Sequence, residues 1–218
     1  MNNCYPSQTA AVNNDTNTNI SIDYNKNYIV SGKLTEDLIS QFKTSAEKYN
    51  IDWRWLATIA SMESGLNPKQ GCTGCCCGMF EFARKYWPPY PECGTTNDFN
   101  NWRKQSDCTA LIFKKESDIV KNKYKCDDET SNLYALCSHN AGNAAAAFFM
   151  QKTSVKNINS LIYTIKTVPQ SEFSKSIKGA YSLDKSAFKK GGPIKRDEII
   201  NYMIKGKSIY MSLCKKYK

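Results

Sequence analysis

One glutamate in this sequence, Glu63, has the residue type and the position needed for acid catalysis. It lies near the end of segment 51–64 (IDWRWLATIASMES), whose apolar residues recur every three or four positions, as in an amphipathic helix. Glu63 comes seven residues after Leu56 and four after Ile59, so it shares their core-facing side. Burial disfavours a charged carboxylate and raises its pKa, which lets a glutamic acid donate a proton near neutral pH. On position alone, a solvated glutamate at a helix end is the alternative.

Glu63 opens the first of several short motifs that follow one another along the chain. Segment 63–68 reads ESGLNP and segment 78–81 reads GMFE, with the glycine fifteen positions after the glutamate. Segment 133–142 (LYALCSHNAG) is an apolar helix pattern that ends in Asn-Ala-Gly, and segment 198–202 reads EIINY. Each motif alone is weak evidence because short patterns recur by chance. Several motifs in one fixed order along the chain are less expected by chance.

These motifs resemble those of the lysozyme-like lytic transglycosylases, in the superfamily of soluble lytic transglycosylases and goose-type lysozymes. The family patterns are Glu-Ser-x-x-Asn-Pro, then Gly-(Leu/Met)-(Met/Phe)-Gln, then Tyr-Asn-Ala-Gly, and finally Glu-Thr-x-x-Tyr. The matches cover most of residues 50–205. The resemblance implies a mostly α, lysozyme-like helical domain. It also implies cleavage of the β-1,4 bond between N-acetylmuramic acid and N-acetylglucosamine, and a phage virion-associated member of the family is one candidate.

In the scheme that the resemblance implies, Glu63 is both general acid and general base, and the product carries a 1,6-anhydromuramoyl end. The residues implied in substrate binding occupy the other motif positions: Ser64, Met79, Phe80, Glu81, His139, Asn140 and Tyr202. Structural alternatives exist for these residues. Asn140 could cap a neighbouring loop, Tyr202 could be a core aromatic, and His139 could be a packed or surface histidine.

Among the positions that depart from the family patterns, two fall near the presumed sugar site. Glu81 stands where the family most often has glutamine, and His139 stands where it has tyrosine. A muramidase, which hydrolyses the same bond, needs a second carboxylate roughly 5 to 9 Å from the acid, and Glu81 is the candidate. A third hypothesis is a catalytically inactive structural component of a virion or secretion machine that keeps the lysozyme-like fold.

Ten cysteines are many for a chain of 218 residues, and they predict a disulfide framework or a metal site. Cys72 and Cys75 form a Cys-x-x-Cys step, which Cys77 and either Cys93 or His139 could complete to a tetrahedral zinc set. The even total and the absence of a second Cys-x-x-Cys favour disulfides, so no cofactor is expected. Disulfides require an oxidising place of action.

The formal net charge of +10 comes mainly from lysine. Lysine suits attraction to a diffuse anionic polymer, such as a bacterial wall, better than recognition of bases. We therefore expect peptidoglycan as the partner and no nucleic acid, since no common nucleic-acid-binding motif is present. No apolar run is long enough to span a bilayer, and the first residues do not read as a Sec-type signal. An extracytoplasmic site of action then requires delivery by a virion, a lysis pore or a secretion machine.

Residues 1–30 are rich in Asn, Thr and Ser and predict an extended N-terminal arm that docks on a larger assembly, followed by one domain over residues 31–218. Apolar spacing predicts helices at 34–49, 51–64, 78–87, 108–124, 132–151, 157–167 and 195–217. Segment 179–193 is expected to be irregular. A short hairpin near residues 71–74 is an open alternative.

Overall fold

A computed structural model describes residues 27–74, 76–154, 156–181 and 192–218 of the chain. Over these residues the fold is mostly α, as the sequence predicts. The helices are α1 (Glu36–Lys48), α2 (Trp53–Ser64), α3 (Trp102–Tyr124), α4 (Asp128–Ala141), α5 (Asn143–Lys152), α6 (Ile158–Thr167), α7 (Gln170–Tyr181) and α8 (Gly192–Lys216). Short antiparallel strands form a small sheet in the order β1 (Cys72–Thr73), β2 (Cys76–Cys77) and β3 (Phe82–Ala83). Single 3-10 turns at Arg84–Tyr86, Pro91–Cys93 and Thr96–Asp98 connect the sheet to α3.

Helices α1 and α2 begin and end where local residue chemistry favours it. Thr35 caps α1 by accepting a hydrogen bond from the Leu38 amide at 3.3 Å, and Asp52 caps α2 by accepting one from the Arg54 amide at 2.9 Å. Helix α2 ends at Gly65, whose φ of 63° is left-handed. The predicted bounds of both helices are therefore right to within two residues.

Helix α2 forms the centre of the core. Its residues 54–61 are all buried. The ring of Trp55 stacks on Tyr210 of α8 with centroids 3.9 Å apart. Gly206 allows α8 to approach α4 closely, because a Cβ atom at this position would lie 2.5 Å from Cδ1 of Leu136. The packing of α2, α4 and α8 therefore brings the sequence motifs on these helices together.

Segment 78–87 is not a helix, contrary to the prediction. Residues 78–81 form a turn between β2 and β3, in which Gly78 has φ 79° and Glu81 has φ 50°. Positive φ at two positions is incompatible with a right-handed helix. A Cβ atom at position 78 would also lie 1.9 Å from Nε2 of Gln105, so a larger residue there would displace the buried Gln105 side chain. The short hairpin that the sequence left open near residues 71–74 is confirmed, since Cys72 pairs with Cys77.

Two helical regions in the second half also differ from the prediction. The single helix predicted at 132–151 is divided into α4 and α5, because Gly142 between them has φ 85° and ψ 148°. Helix α7 is missing from the prediction, and its last residues extend into segment 179–193, which was expected to be irregular. Residues 182–191 of that segment lie outside the described residues. In the part of the chain that the structure describes, none of the helices has the length and apolar character needed to cross a membrane.

Most of the predicted N-terminal arm, residues 1–26, lies outside the described residues. The residues that follow lie against the helices. The amide of Tyr28 donates a hydrogen bond to Oγ of Ser208 in α8 at 2.9 Å, and the amide of Ser31 donates one to Oγ of Ser61 in α2 at 2.7 Å. These bonds place the side chain of Tyr28 beside α8.

Candidate active site

Glu63 lies in the last turn of α2, and its side chain is 18% exposed. Ser64 beside it ties the helix end to the following loop. Its Oγ donates to the Ala60 carbonyl at 3.1 Å and accepts from the Asn67 amide at 3.3 Å. These contacts of Ser64 are structural, and its implied role in substrate binding stays a prediction.

The hydroxyl of Tyr202 in α8 donates a hydrogen bond to Oε1 of Glu63. Burial raises the pKa of the Glu63 carboxyl to about 7, although the hydrogen bond from Tyr202 lowers it. The negative charges of Glu81 and Glu198 raise this pKa further, and the positive charge of Lys205 lowers it. A large fraction of the carboxyl groups is therefore protonated at neutral pH and able to donate a proton.

His139, in the last turn of α4, faces the same carboxyl group. Its Nε2 lies 3.2 Å from the carbonyl oxygen of Phe80 and 3.6 Å from Oε1 of Glu63. The side chain of His139 is 13% exposed, and burial lowers its pKa to about 4 despite the opposing effect of the Phe80 carbonyl. The imidazole is neutral at neutral pH, so its contact with Glu63 is not an ion pair there. Asn140 follows it and is half-buried, and its implied role in substrate binding stays a prediction.

Glu81 lies in the turn before β3 and is held by the hairpin. Its carboxylate accepts hydrogen bonds from Nε2 of Gln70 at 3.1 Å and from Oγ1 of Thr73 at 3.0 Å. Its negative charge lies close enough to Glu63 to raise the pKa of that carboxyl. The structure thus places a second acidic side chain within electrostatic range of the buried one.

An open groove runs beside this cluster along one face of α8. Its volume is about 520 Å³, within the range of roughly 300 to 1,000 Å³ that is usual for ligand sites. The groove is lined by Tyr28, Asp197, Glu198, Asn201, Tyr202 and Lys205. Because Tyr202 both lines the groove and donates to Glu63, it connects the groove to the acid.

Met79 and Phe80 do not present their side chains to this groove. The side chains are 1% and 0% exposed and pack in the core, which leaves no side-chain surface for the substrate contact that the motif implies. Phe80 takes part in the site through its backbone carbonyl, which contacts His139. Gln105 holds the turn in place by accepting from the Phe80 amide at 3.3 Å and donating to the Cys77 carbonyl at 3.4 Å.

Disulfides brace this region, as the cysteine count favours. Within the described residues, one joins Cys72 of β1 to Cys77 of β2, and another joins Cys93 to Cys108 of α3. Three cysteines of the zinc alternative are therefore oxidised, and Cys75 lies outside the described residues. Zinc binds thiolates, so a site made of Cys72, Cys75, Cys77 and Cys93 does not fit a structure in which three of these cysteines form disulfides. Among the described residues, no group of three or more His, Cys, Asp or Glu side chains is placed to hold a metal ion.

Of the six residues that line the groove, only Tyr202 was predicted as a site residue. Sequence reasoning missed the other five, namely Tyr28, Asp197, Glu198, Asn201 and Lys205. Glu198, Asn201 and Lys205 could have been found, because together with Tyr202 they recur at helical spacings of three and four along one face of the same helix. Tyr28 could not, since it belongs to the predicted arm and reaches the groove only through its contact with α8.

No model of a known protein family matches the sequence, and no curated protein matches it. The similarity to the lytic transglycosylases is therefore limited to short motifs. Function has to be inferred from these motifs together with the geometry around Glu63.

Proposed function

We propose that the protein is a peptidoglycan lytic transglycosylase with Glu63 as its general acid and base. The observation that carries this proposal is the setting of Glu63, a carboxyl with a pKa of about 7 that accepts a hydrogen bond from Tyr202, a residue that lines an open groove. Acid catalysis is most effective when the pKa of the donor lies near the operating pH. The motif resemblance supplies the substrate class, a glycan of β-1,4-linked N-acetylmuramic acid and N-acetylglucosamine.

In the first step, protonated Glu63 donates its proton to the glycosidic oxygen as the bond from C1 of muramic acid to that oxygen breaks. Positive charge then develops at C1 and the ring oxygen. The negative charges of Glu81 and Glu198, which raise the pKa of Glu63, also favour this cation electrostatically.

In the second step, the Glu63 carboxylate takes the proton of the muramic acid 6-hydroxyl while O6 bonds to C1. The product is a 1,6-anhydro ring, and no water is consumed. Between the two steps Glu63 is ionised, and the hydrogen bond from Tyr202 stabilises this charged form. One carboxyl group is therefore enough for both steps.

A muramidase that uses Glu81 as its second carboxylate is the other candidate. The observation that favours it is the electrostatic effect of Glu81 on Glu63. In a hydrolase Glu81 would activate water or stabilise the sugar cation. We prefer the transglycosylase because Gln70 and Thr73 already donate hydrogen bonds to Glu81 and hold it toward the hairpin.

We also propose that the protein acts on the cell wall after delivery by a virion or a secretion machine, with the N-terminal arm as the docking segment. A net charge of +10 attracts the protein to anionic wall polymers. The disulfides suit an oxidising environment outside the cytoplasm. The partners are then peptidoglycan strands and the delivering assembly.

Mass analysis of the fragments released from purified peptidoglycan tests the proposed reaction. We expect anhydromuramoyl ends from the wild type and a rate lower by about 100-fold or more for Glu63→Gln. Glu47→Gln, on the exposed face of α1, is the control for removal of one carboxylate. Reducing ends would favour the muramidase. Equal release by the wild type and Glu63→Gln would refute catalysis by Glu63 and favour an inactive structural component.

A further inference from the structure

The imidazole of His139 lies between two oxygen atoms of the site. Its Nε2 is 3.2 Å from the carbonyl oxygen of Phe80 and 3.6 Å from Oε1 of Glu63. A carbonyl oxygen can only accept a hydrogen bond, so a favourable contact with Phe80 requires a hydrogen atom on Nε2. In the neutral imidazole this leaves the lone pair on Nδ1, directed away from both oxygens.

We infer that His139 is a positioning residue for Glu63, whose Nε2–H bonds to Phe80 while Glu63 is protonated and moves toward Oε1 of Glu63 when that carboxyl is ionised. The contribution of His139 to catalysis rests on the proposed function. The change of hydrogen-bond partner at Nε2 does not depend on it. It replaces the substrate contact that the motif implies for His139.

The movement that this requires is small. Nε2 has to approach Oε1 of Glu63 from 3.6 Å to about 2.9 Å, the usual length of an N–H···O hydrogen bond. The ring of Tyr202 lies nearly parallel to the imidazole, at 18° and a centroid distance of 6.4 Å. The ring of Phe82 lies at 6.3 Å on the hairpin side.

The other groups that face this carboxyl act differently. From α8, Tyr202 already donates to the same oxygen, Lys205 adds positive charge and Glu198 adds negative charge, while Glu81 adds negative charge from the turn. His139 approaches from α4 and stays neutral where the carboxyl titrates, because burial holds the pKa of its imidazole to about 4. It therefore responds to ionisation of the carboxyl by rearranging a hydrogen bond and not by changing its own charge.

In the proposed reaction the proton on Nε2 stays on His139 throughout. When Glu63 gives its proton to the leaving oxygen, the new carboxylate gains a second donor beside Tyr202. When Glu63 takes the proton of the 6-hydroxyl, the Nε2–H returns to Phe80. His139 thereby lowers the free energy of the ionised Glu63 that exists between the two steps.

Nuclear magnetic resonance of protein labelled with ¹⁵N-histidine tests this directly, because the chain contains one histidine and its ring signals need no further assignment. We expect the proton on Nε2 and a downfield shift of its signal as the pH rises through about 7, where Glu63 ionises. In Glu63→Gln this shift is absent, since glutamine does not ionise. A proton on Nδ1, or an Nε2–H signal in the wild type that does not change across this pH range, would overturn the inference.

Two variants at the same position give a second measurement. His139→Phe keeps an aromatic ring without the donor, and His139→Gln restores an N–H group. We expect the pKa of Glu63, followed by its carboxyl carbon signal, to rise by about one unit in the first variant and to return toward the wild-type value in the second. An unchanged pKa in folded His139→Phe contradicts the inference. Neither measurement uses activity, so a protein that releases no wall fragments would refute the proposed function alone.

Discussion

The hydroxyl of Tyr202 donates a hydrogen bond to Oε1 of Glu63 across a separation of 139 residues. The bond joins the last turn of α2 to the middle of α8. The hydrogen bond from Tyr202 favours the charged form of the carboxyl and lowers its pKa. Burial favours the neutral form and raises the pKa. The balance of these opposing effects is what leaves the pKa of Glu63 near neutrality.

Tyr202→Phe removes this donor and is expected to raise the pKa of Glu63 further. The alkaline limit of wall-degrading activity should then move up by roughly one unit, and the rate at neutral pH should fall about tenfold. The pH profile of fragment release measures both effects. Tyr163→Phe, at a residue 41% exposed on α6, is the matched control. An alkaline limit that moves down or stays in place would contradict the role given to Tyr202.

Glu63 should make the folded protein less stable as the pH rises. The ordinary pKa of a glutamic acid side chain is 4.5, and the pKa of Glu63 in the folded chain is about 7. The folded state therefore holds more protons between these values, and the free energy of unfolding falls across that range. Relative to the wild type, Glu63→Gln should gain roughly 2 to 4 kcal/mol on going from about pH 4 to about pH 8.

Urea denaturation at the two pH values checks this expectation, with Glu47→Gln as the control for removing one carboxylate from the surface. A difference between Glu63→Gln and the wild type that is the same at both pH values would show that the pKa of Glu63 is not raised.

Glu81→Gln restores the residue usual in the family that the motifs resemble. A transglycosylase should keep most of its activity and release anhydromuramoyl ends. The alkaline limit of activity should move to lower pH, because a negative charge that raises the pKa of Glu63 is lost. Product analysis together with the pH profile measures this. A loss of about 100-fold or more would instead identify Glu81 as a second catalytic carboxylate.

Among the described residues, the disulfides Cys72–Cys77 and Cys93–Cys108 should differ in what is lost when each is removed. The bridge Cys93–Cys108 spans 15 residues and Cys72–Cys77 spans 5, so loop entropy gives losses of about 3 and about 2 kcal/mol respectively. The shorter bridge closes the hairpin that carries Thr73, a donor to the acidic side chain of the turn. We therefore expect the double alanine variant at 72 and 77 to lose more activity, and the one at 93 and 108 to lose more stability. Thermal unfolding and fragment release compare them.

Arg196 should matter for stability. Its guanidinium donates to the carbonyl oxygens of Ile165 and Val168, both at 2.6 Å, and to Oε1 of Gln170 at 3.1 Å, at the junction of α6 and α7. Arg196→Met leaves these acceptors without a donor, which should cost roughly 2 to 4 kcal/mol in urea denaturation. Arg196→Lys should recover only part of this, because an ammonium lacks the planar fork. A loss below about 0.5 kcal/mol in Arg196→Met would contradict this account.

Local patterns predicted the helices correctly where apolar spacing and capping agreed. Thr35 marks the start of α1, and the apolar spacing of Leu56 and Ile59 places Glu63 at the inner end of α2. The same reasoning failed at Gly78 and Glu81, where apolar residues in a helix-like run belong to a turn with positive φ. It also failed at Gly142, which ends one helix and starts the next.

By itself the sequence determined the mostly α fold and the place of Glu63 at the inner end of α2, because helical periodicity and the position of a carboxyl on an apolar face are local properties. The motif resemblance, and not this position alone, made Glu63 the candidate acid. Only the tertiary structure decided which groups surround that acid. Tyr202 and His139 reach Glu63 because distant helices pack together, and the sequences of the individual helices do not specify how they pack. The side chains of Met79 and Phe80 likewise turn into the core only in the folded structure. The pKa of Glu63 follows from that packing, since burial and neighbouring charges arise only when the helices come together.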